Sequence, residues 1–246
     1  MTEDIANFYA LSERFTNVRK RIESAAIGCN RSSDQITLIA ITKSHPVEVI
    51  RAGLDLGIKD LGENRVQEAE GKINEVGRTA ARWHLVGHLQ ANKARRAVSL
   101  FDVIHSLDSV GLAERLNRLC AAEGREELPV LIQIDLGGEE TKTGIEPRAL
   151  PALLDALNNC QRLRLLGLMT LPPYFENPEC ARPYFKTLRE LRDELQLQGS
   201  FGERPGDLSM GMSHDFEIAI EEGATMVRVG TAIFGERKKS LGGASE

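Results

Sequence analysis

The chain has 246 residues, 41% of them hydrophobic and 27% charged, and a net charge of −5. That is the balance of an ordinary soluble globular protein, and the acidic excess argues against a dedicated nucleic-acid or anionic-membrane binder. Cys29, Cys120, Cys160 and Cys180 are scattered and make no CxxC pair, so neither a zinc site nor a disulfide framework is indicated.

The opening MTEDIANFYA lacks the basic and apolar regions of a secretory signal. Residues 3–27 read as an amphipathic helix, with Leu11, Phe15, Val18, Ile22 and Ala26 recurring at steps of three or four. Short apolar runs then alternate with helical stretches. The runs are 36–43, 59–64, 82–87, 102–108, 129–136, 163–171, 207–212 and 225–230. The helices fall over 46–56, 65–76, 90–99, 108–122, 147–159, 178–198 and 214–222, several of them stopping at glycine. No apolar run is long enough to cross a bilayer, and a reducing cytoplasm is the expected compartment.

Eight strand candidates separated by helices imply parallel strands covered by helices. The expectation is a single α/β domain over 1–246, a (β/α)8 TIM-type barrel with an added N-terminal helix and a flexible tail at 235–246. An open doubly wound sheet is the alternative. It is less favoured because no GxGxxG follows the first run.

Barrel active sites form where strands end. Lys43 closes the first run after LIAIT, on the side of Ile39 and Ile41. If that side is the interior, desolvation favours a neutral, nucleophilic amine; otherwise Lys43 is a solvated lysine. Arg228, inside MVRVG, either pairs with an internal carboxylate or meets a bound anion or heteroaromatic nitrogen. Ser213 reads as a helix N-cap, and Gly230-Thr231 opens a short helical segment. These are the loops after strands seven and eight, where barrels bind phosphate, although ordinary capping explains them as well. His84 and His105 lie inside strands and read as packing or hydrogen-bonding residues. The histidines form no compact metal pattern. Lys93, Arg95 and Arg96 read as a solvated face.

The motifs AITKSHP (40–46), LGENRVQE (61–68), WHLVGHLQANK (83–93), IHSLDS (104–109), GLMTLPP (167–173), LSMGMSHDFEIAI (208–220) and VRVGTAIFGER (227–237) occur in order along the chain. In these motifs residues 5–237 resemble the pyridoxal phosphate homeostasis protein family. The resemblance implies a barrel of the alanine-racemase type holding pyridoxal 5'-phosphate (PLP) as a Schiff base on Lys43. It places Asn64 beside the cofactor ring, Ser213, Gly230 and Thr231 at the phosphate, and Arg228 at the pyridine nitrogen. With Met169, which closes the sixth run, these residues make up the expected cofactor-binding set.

The implied role is a carrier or regulator in intracellular PLP (vitamin B6) balance, a monomer with apo PLP-dependent enzymes as recipients. A PLP-dependent amino-acid racemase is the alternative. Arg228 has no acceptor capacity and leaves the ring nitrogen unprotonated, which weakens carbanion stabilisation. A racemase also needs a second base, for which Tyr9, Tyr174 and Tyr184 are only formal candidates. A class I aldolase-type barrel using Lys43 directly is a third reading, disfavoured by the two phosphate loops and Arg228.

Overall fold

Each apolar run becomes a parallel strand, and the eight strands close into one barrel in sequence order. The computed structural model describes residues 2–138 and 143–236. The strands are β1 (Thr37–Ile41), β2 (Asp60–Glu63), β3 (Arg82–Leu85), β4 (Val103–Leu107), β5 (Leu128–Gln133), β6 (Leu163–Met169), β7 (Asp207–Ser209) and β8 (Met226–Val229). They are shorter than the apolar runs because the last residues of several runs leave the ladder to build the barrel mouth. Closure comes from β8 pairing with β1 over four residue pairs, Thr37 to Met226 through Ala40 to Val229. By contrast β7 and β8 share a single register pair, Ser209 with Met226.

Alternation sorts the side chains. Ile39, Ile41, Val86, Val103, Leu131 and Met169 fill the barrel interior. Leu38, Ala40, Leu61, Leu85, Ile104 and Val227 point outward into the larger core beneath the helices. Register carries this pattern around the barrel: Ile39 stands between Asp60 and Arg228, and Gly62 stands beside His84. The interior thus holds charged and polar groups among its apolar ones.

The covering helices are α1 (Thr2–Gly28), α2 (Val47–Asp55), α3 (Val66–Val76), α4 (Ala94–Leu100), α5 (Val110–Ala122), α6 (Leu150–Asn158), α7 (Arg182–Leu197), α8 (Phe216–Glu221) and α9 (Thr231–Phe234). Ser109 caps α5 by accepting a hydrogen bond from the Leu112 N–H. The added helix α1 buries Leu11, Val18, Ile22 and Ala26 and packs on α8 and α9, outside the end of the barrel sequence. Polar clamps hold it there. Arg21 pairs with Glu217 at 2.6 Å, Arg14 Nε donates to the Ile233 carbonyl at 2.8 Å, and Arg31, just beyond the helix, donates to the Ile220 and Ala224 carbonyls.

Two sequence expectations shift. The helix expected from residue 214 starts at Phe216, because Asp215 takes the N-cap position and its carboxylate accepts the Met212 N–H at 2.6 Å. Of the expected tail, Gly235 and Glu236 belong to the described residues and 237–246 lie outside them. Among the described residues no helix is long and apolar enough to cross a membrane.

Gly167, in the middle of β6, lies so close to β7 that an added Cβ would collide with the Asp207 backbone. Gly167→Ala is therefore expected to cost about 3 kcal/mol of stability by forcing β6 and β7 apart. Urea unfolding followed by far-UV circular dichroism measures this, and a loss within about 0.5 kcal/mol would show that the contact is not tight.

Candidate functional site

The strand ends converge on one cavity of about 450 Å³ at the barrel mouth. That size lies within the range of about 300–1,000 Å³ typical of small-molecule sites. Lys43, Asn64, Ser213, Arg228, Gly230 and Thr231 all line it, so six of the seven sequence-derived residues meet in one place. The seventh, Met169, is fully buried in the interior cluster with Ile41 and Val86, both of which line the cavity. It packs beneath the cavity and is not part of its lining. Tyr174 and His214 stack at the rim with ring centroids 5.5 Å apart. A larger groove of about 750 Å³ lies outside the barrel between α6 and α7 and contains none of these residues.

Lys43 is half-buried, two residues beyond β1. Its position is set from behind by a buried charge cluster. Lys72 on α3 donates to the Glu63 carboxylate (2.7 Å), the Glu68 carboxylate (2.7 Å) and the Thr42 carbonyl (2.6 Å). Thr42 Oγ1 donates to the same Glu63 oxygen at 2.5 Å, and the Ser44 N–H donates to Glu68. Both neighbours of Lys43 are thus tied down, and Ser44 is held at φ 63°, in the left-handed region that non-glycine residues rarely occupy. Burial pushes the Glu63 carboxyl up, against the opposing pull of Lys72 and Thr42. Burial also works to raise Glu68, but hydrogen bonds from Lys72 and the Ser44 N–H outweigh it and hold that carboxyl below its usual range.

Asn64 reaches the cavity because Gly87 faces it. An added Cβ at Gly87 would lie 2.8 Å from the Asn64 Cα. Ser106 Oγ fixes that glycine by donating to its carbonyl at 2.7 Å.

Arg228 is 3% exposed. Among the described residues no internal carboxylate bonds it. Its Nη1 donates to Ser209 Oγ at 2.7 Å and its Nη2 to the Thr170 carbonyl at 2.9 Å. Burial pushes its pKa down to about 10, with Asp215 opposing the shift from a distance, so the guanidinium stays charged at neutral pH. Beneath it, His105 Nδ1 lies 2.9 Å from Ser209 Oγ, His105 Nε2 lies 2.9 Å from His84 Nδ1, and His84 Nε2 lies 3.0 Å from Asp60 Oδ1. Burial drives both imidazoles below their ordinary values, His105 well below.

Ser213 does not cap α8. Its hydroxyl oxygen accepts the Gly230 and Ala232 N–H groups, both at 3.2 Å, and so ties the loop after β7 to the start of α9. This places one hydroxyl and the Gly230-Thr231 backbone on a common wall. The donor set is an amine, a guanidinium opposite the strand-end loops, and a hydroxyl beside backbone amides. It fits a cofactor with an aldehyde, a ring nitrogen and a phosphate.

The alanine racemase N-terminal domain family matches residues 17–238. A pyridoxal phosphate homeostasis protein of Aquifex aeolicus is 46% identical over 226 residues, covering 92% of this chain and 98% of the relative. The chain belongs to the pyridoxal phosphate homeostasis protein family. Its Escherichia coli K12 relative is 40% identical over 239 residues, covering 94% of this chain and 98% of the relative. PipY of Synechococcus elongatus, solved with PLP bound, is 37% identical with a TM-score of 0.79, covering 92% of this chain and all of that one. Alanine racemase of Corynebacterium glutamicum, at 16% identity and a TM-score of 0.68, shares the barrel fold over 95% of this chain and 62% of its own.

Sequence reasoning missed two parts of this family member's site. The Glu63–Glu68–Lys72 cluster left only one local trace, the Glu68–Lys72 pair at i,i+4. The His84–His105 contact joins residues of adjacent strands in a register that sequence does not disclose.

Lys72→Met would leave the buried Glu63 and the partly exposed Glu68 without their cation. At pH 7 the expected loss is about 3–5 kcal/mol. The folded-state pKa of Glu63 is raised, so its titration favours the fold at low pH and that contribution is lost as pH rises through the folded value. Removing the cation raises that pKa further. The gap between variant and wild type in urea melts should therefore narrow from pH 7 to pH 5, whereas a constant gap would show that Glu63 is not the group left exposed to the penalty.

Proposed function

We propose that the chain binds PLP in the mouth cavity as a Schiff base on Lys43 and serves as a carrier or regulator in intracellular PLP balance. The observation that carries this reading is the convergence of Lys43, Arg228, Ser213 and the Gly230-Thr231 turn on one cavity. When bound, PLP supplies an aldehyde that condenses with amines and an electron-withdrawing ring.

The chain's own residues would divide the work. The Lys43 amine holds the aldehyde carbon, and the cluster behind Thr42 and Ser44 keeps that amine in place. Ser213 and the Gly230-Thr231 backbone receive the phosphate by hydroxyl and N–H donors. Arg228 donates to the ring nitrogen. A donor-only cation there disfavours a proton on that nitrogen and lowers the electron demand that racemisation or decarboxylation requires. Asn64 borders the ring, and Met169 supports the floor from below. A weak electron sink above a mouth open to solvent suits retention and release better than turnover. The recipients would be apo PLP-dependent enzymes, supplied by a monomeric barrel in the cytoplasm.

Borohydride reduction of PLP-loaded protein, followed by peptide mapping, should place the pyridoxyl group on Lys43. Unreduced protein should restore activity to an apo PLP-dependent enzyme. A label confined to another lysine, or no transfer, would count against the corresponding half of the proposal.

The phosphate contacts should make the wild type favour PLP over unphosphorylated pyridoxal by about a hundredfold, and Ser213→Ala should weaken PLP binding by about tenfold. Equilibrium titration in the visible range reads both. Equal affinity for PLP and pyridoxal would remove the phosphate site.

A further inference from the structure

A line of five polar residues crosses the barrel interior. Burial favours neutral imidazoles, and with both neutral the Asp60 end allows only one arrangement of protons. Arg228 is a donor at every nitrogen and gives a hydrogen bond to Ser209 Oγ. Asp60, at the other end, only accepts while ionised. It faces His84 Nε2, so that nitrogen carries the proton and His84 Nδ1 is left as an acceptor. His105 Nε2 must then donate to His84 Nδ1, which leaves His105 Nδ1 as an acceptor for the Ser209 hydroxyl proton. Ser209 Oγ can then accept from Arg228 while it donates to His105, so the Arg228 end is compatible with the same tautomers. Every bond in the line runs from guanidinium towards carboxylate, and both histidines are neutral.

We propose that Asp60, His84, His105 and Ser209 are positioning residues for Arg228, forming a one-way donor chain that carries the influence of the Asp60 charge through the core. The chain holds the guanidinium so that its remaining N–H groups face the mouth cavity. This rests on the reading of that cavity as a PLP site. The Thr170 carbonyl is the only other hydrogen-bond anchor of Arg228 among the described residues, so breaking the chain frees the group to rotate. Asp60 itself is far from the mouth. It sits at the start of β2, where it borders a separate cavity of about 470 Å³ lined also by Asp34, Ile36 and Lys59. The colour and retention of bound PLP would therefore depend on a carboxylate at the opposite end of the barrel.

Two measurements test this. In cofactor-free full-length protein with 15N-labelled histidine, long-range proton–nitrogen correlation should show His84 and His105 as neutral Nε2–H tautomers at pH 7. A proton on Nδ1 of either ring, or a charged ring, overturns the chain. In PLP-loaded protein, Asp60→Asn keeps an acceptor for His84 but removes the charge, and His105→Phe interrupts the chain. The bound-cofactor absorption maximum should move in both, and PLP should dissociate about threefold faster in D60N and about tenfold faster in H105F. A lower melting temperature with an unchanged spectrum and dissociation rate overturns the proposal, because a purely structural network would give that result. If H105F does not fold, D60N decides. If the wild type takes up no PLP, the cofactor reading fails and the tautomers alone decide the chain.

Discussion

A cation enclosed by a barrel must be satisfied there, since an unpaired buried charge costs several kcal/mol. Arg228 imposes that condition here. It reaches the interior by strand alternation, beside Ile39 on the neighbouring strand, and among the described residues none of its bonds goes to a carboxylate. Its two anchors, Ser209 on β7 and the Thr170 carbonyl beyond β6, come from successive parts of the barrel. Ser209 in turn requires His105, which requires His84 and finally Asp60. A polar line through a largely apolar core is the consequence of one guanidinium, and it commits residues on five strands to a common arrangement.

The second buried charge set, Lys72 with Glu63 and Glu68, lies on the other face of β1 and β2, beneath α3. The two sets bracket the end of β1. One fixes what lies opposite Lys43, and the other fixes the backbone from which Lys43 projects. Each is hydrogen-bonded almost throughout. The exception is Glu63 Oε2, which is buried without a partner and marks where this cluster is least settled.

The architecture was readable because strand and helix periods differ and because each strand carried its own apolar run. The same local signals gave Lys43 and Arg228, one at the end of a run and one conspicuous within it. Ser213 was found in the right loop but given the wrong bond. Its acceptor role joins positions 17 and 19 residues apart, whereas an N-cap reading looks only two or three residues ahead. Met169 closes a strand as the site residues do, yet its side chain falls on the interior side and below the cavity. Sequence could place His84 and His105 inside strands. It could not show that they touch, because contact between strands depends on register, and register is a property of the assembled barrel.

The clasp made by α1 has a consequence for the order of events in folding. Its partners Glu217 and Ile233 stand 196 and 219 positions further along the chain, on the last two helices described. Within this chain α1 therefore lacks its main docking surface, α8 and α9, until the barrel units between them have been made. For that interval an amphipathic helix of 27 residues carries its apolar stripe uncovered, and pairings this distant in sequence form slowly. The seam that α1 covers is flanked by the weakest strand pairing of the barrel, β7 with β8. Docking of α1 thus waits on the last barrel units, and its apolar stripe needs cover until they form.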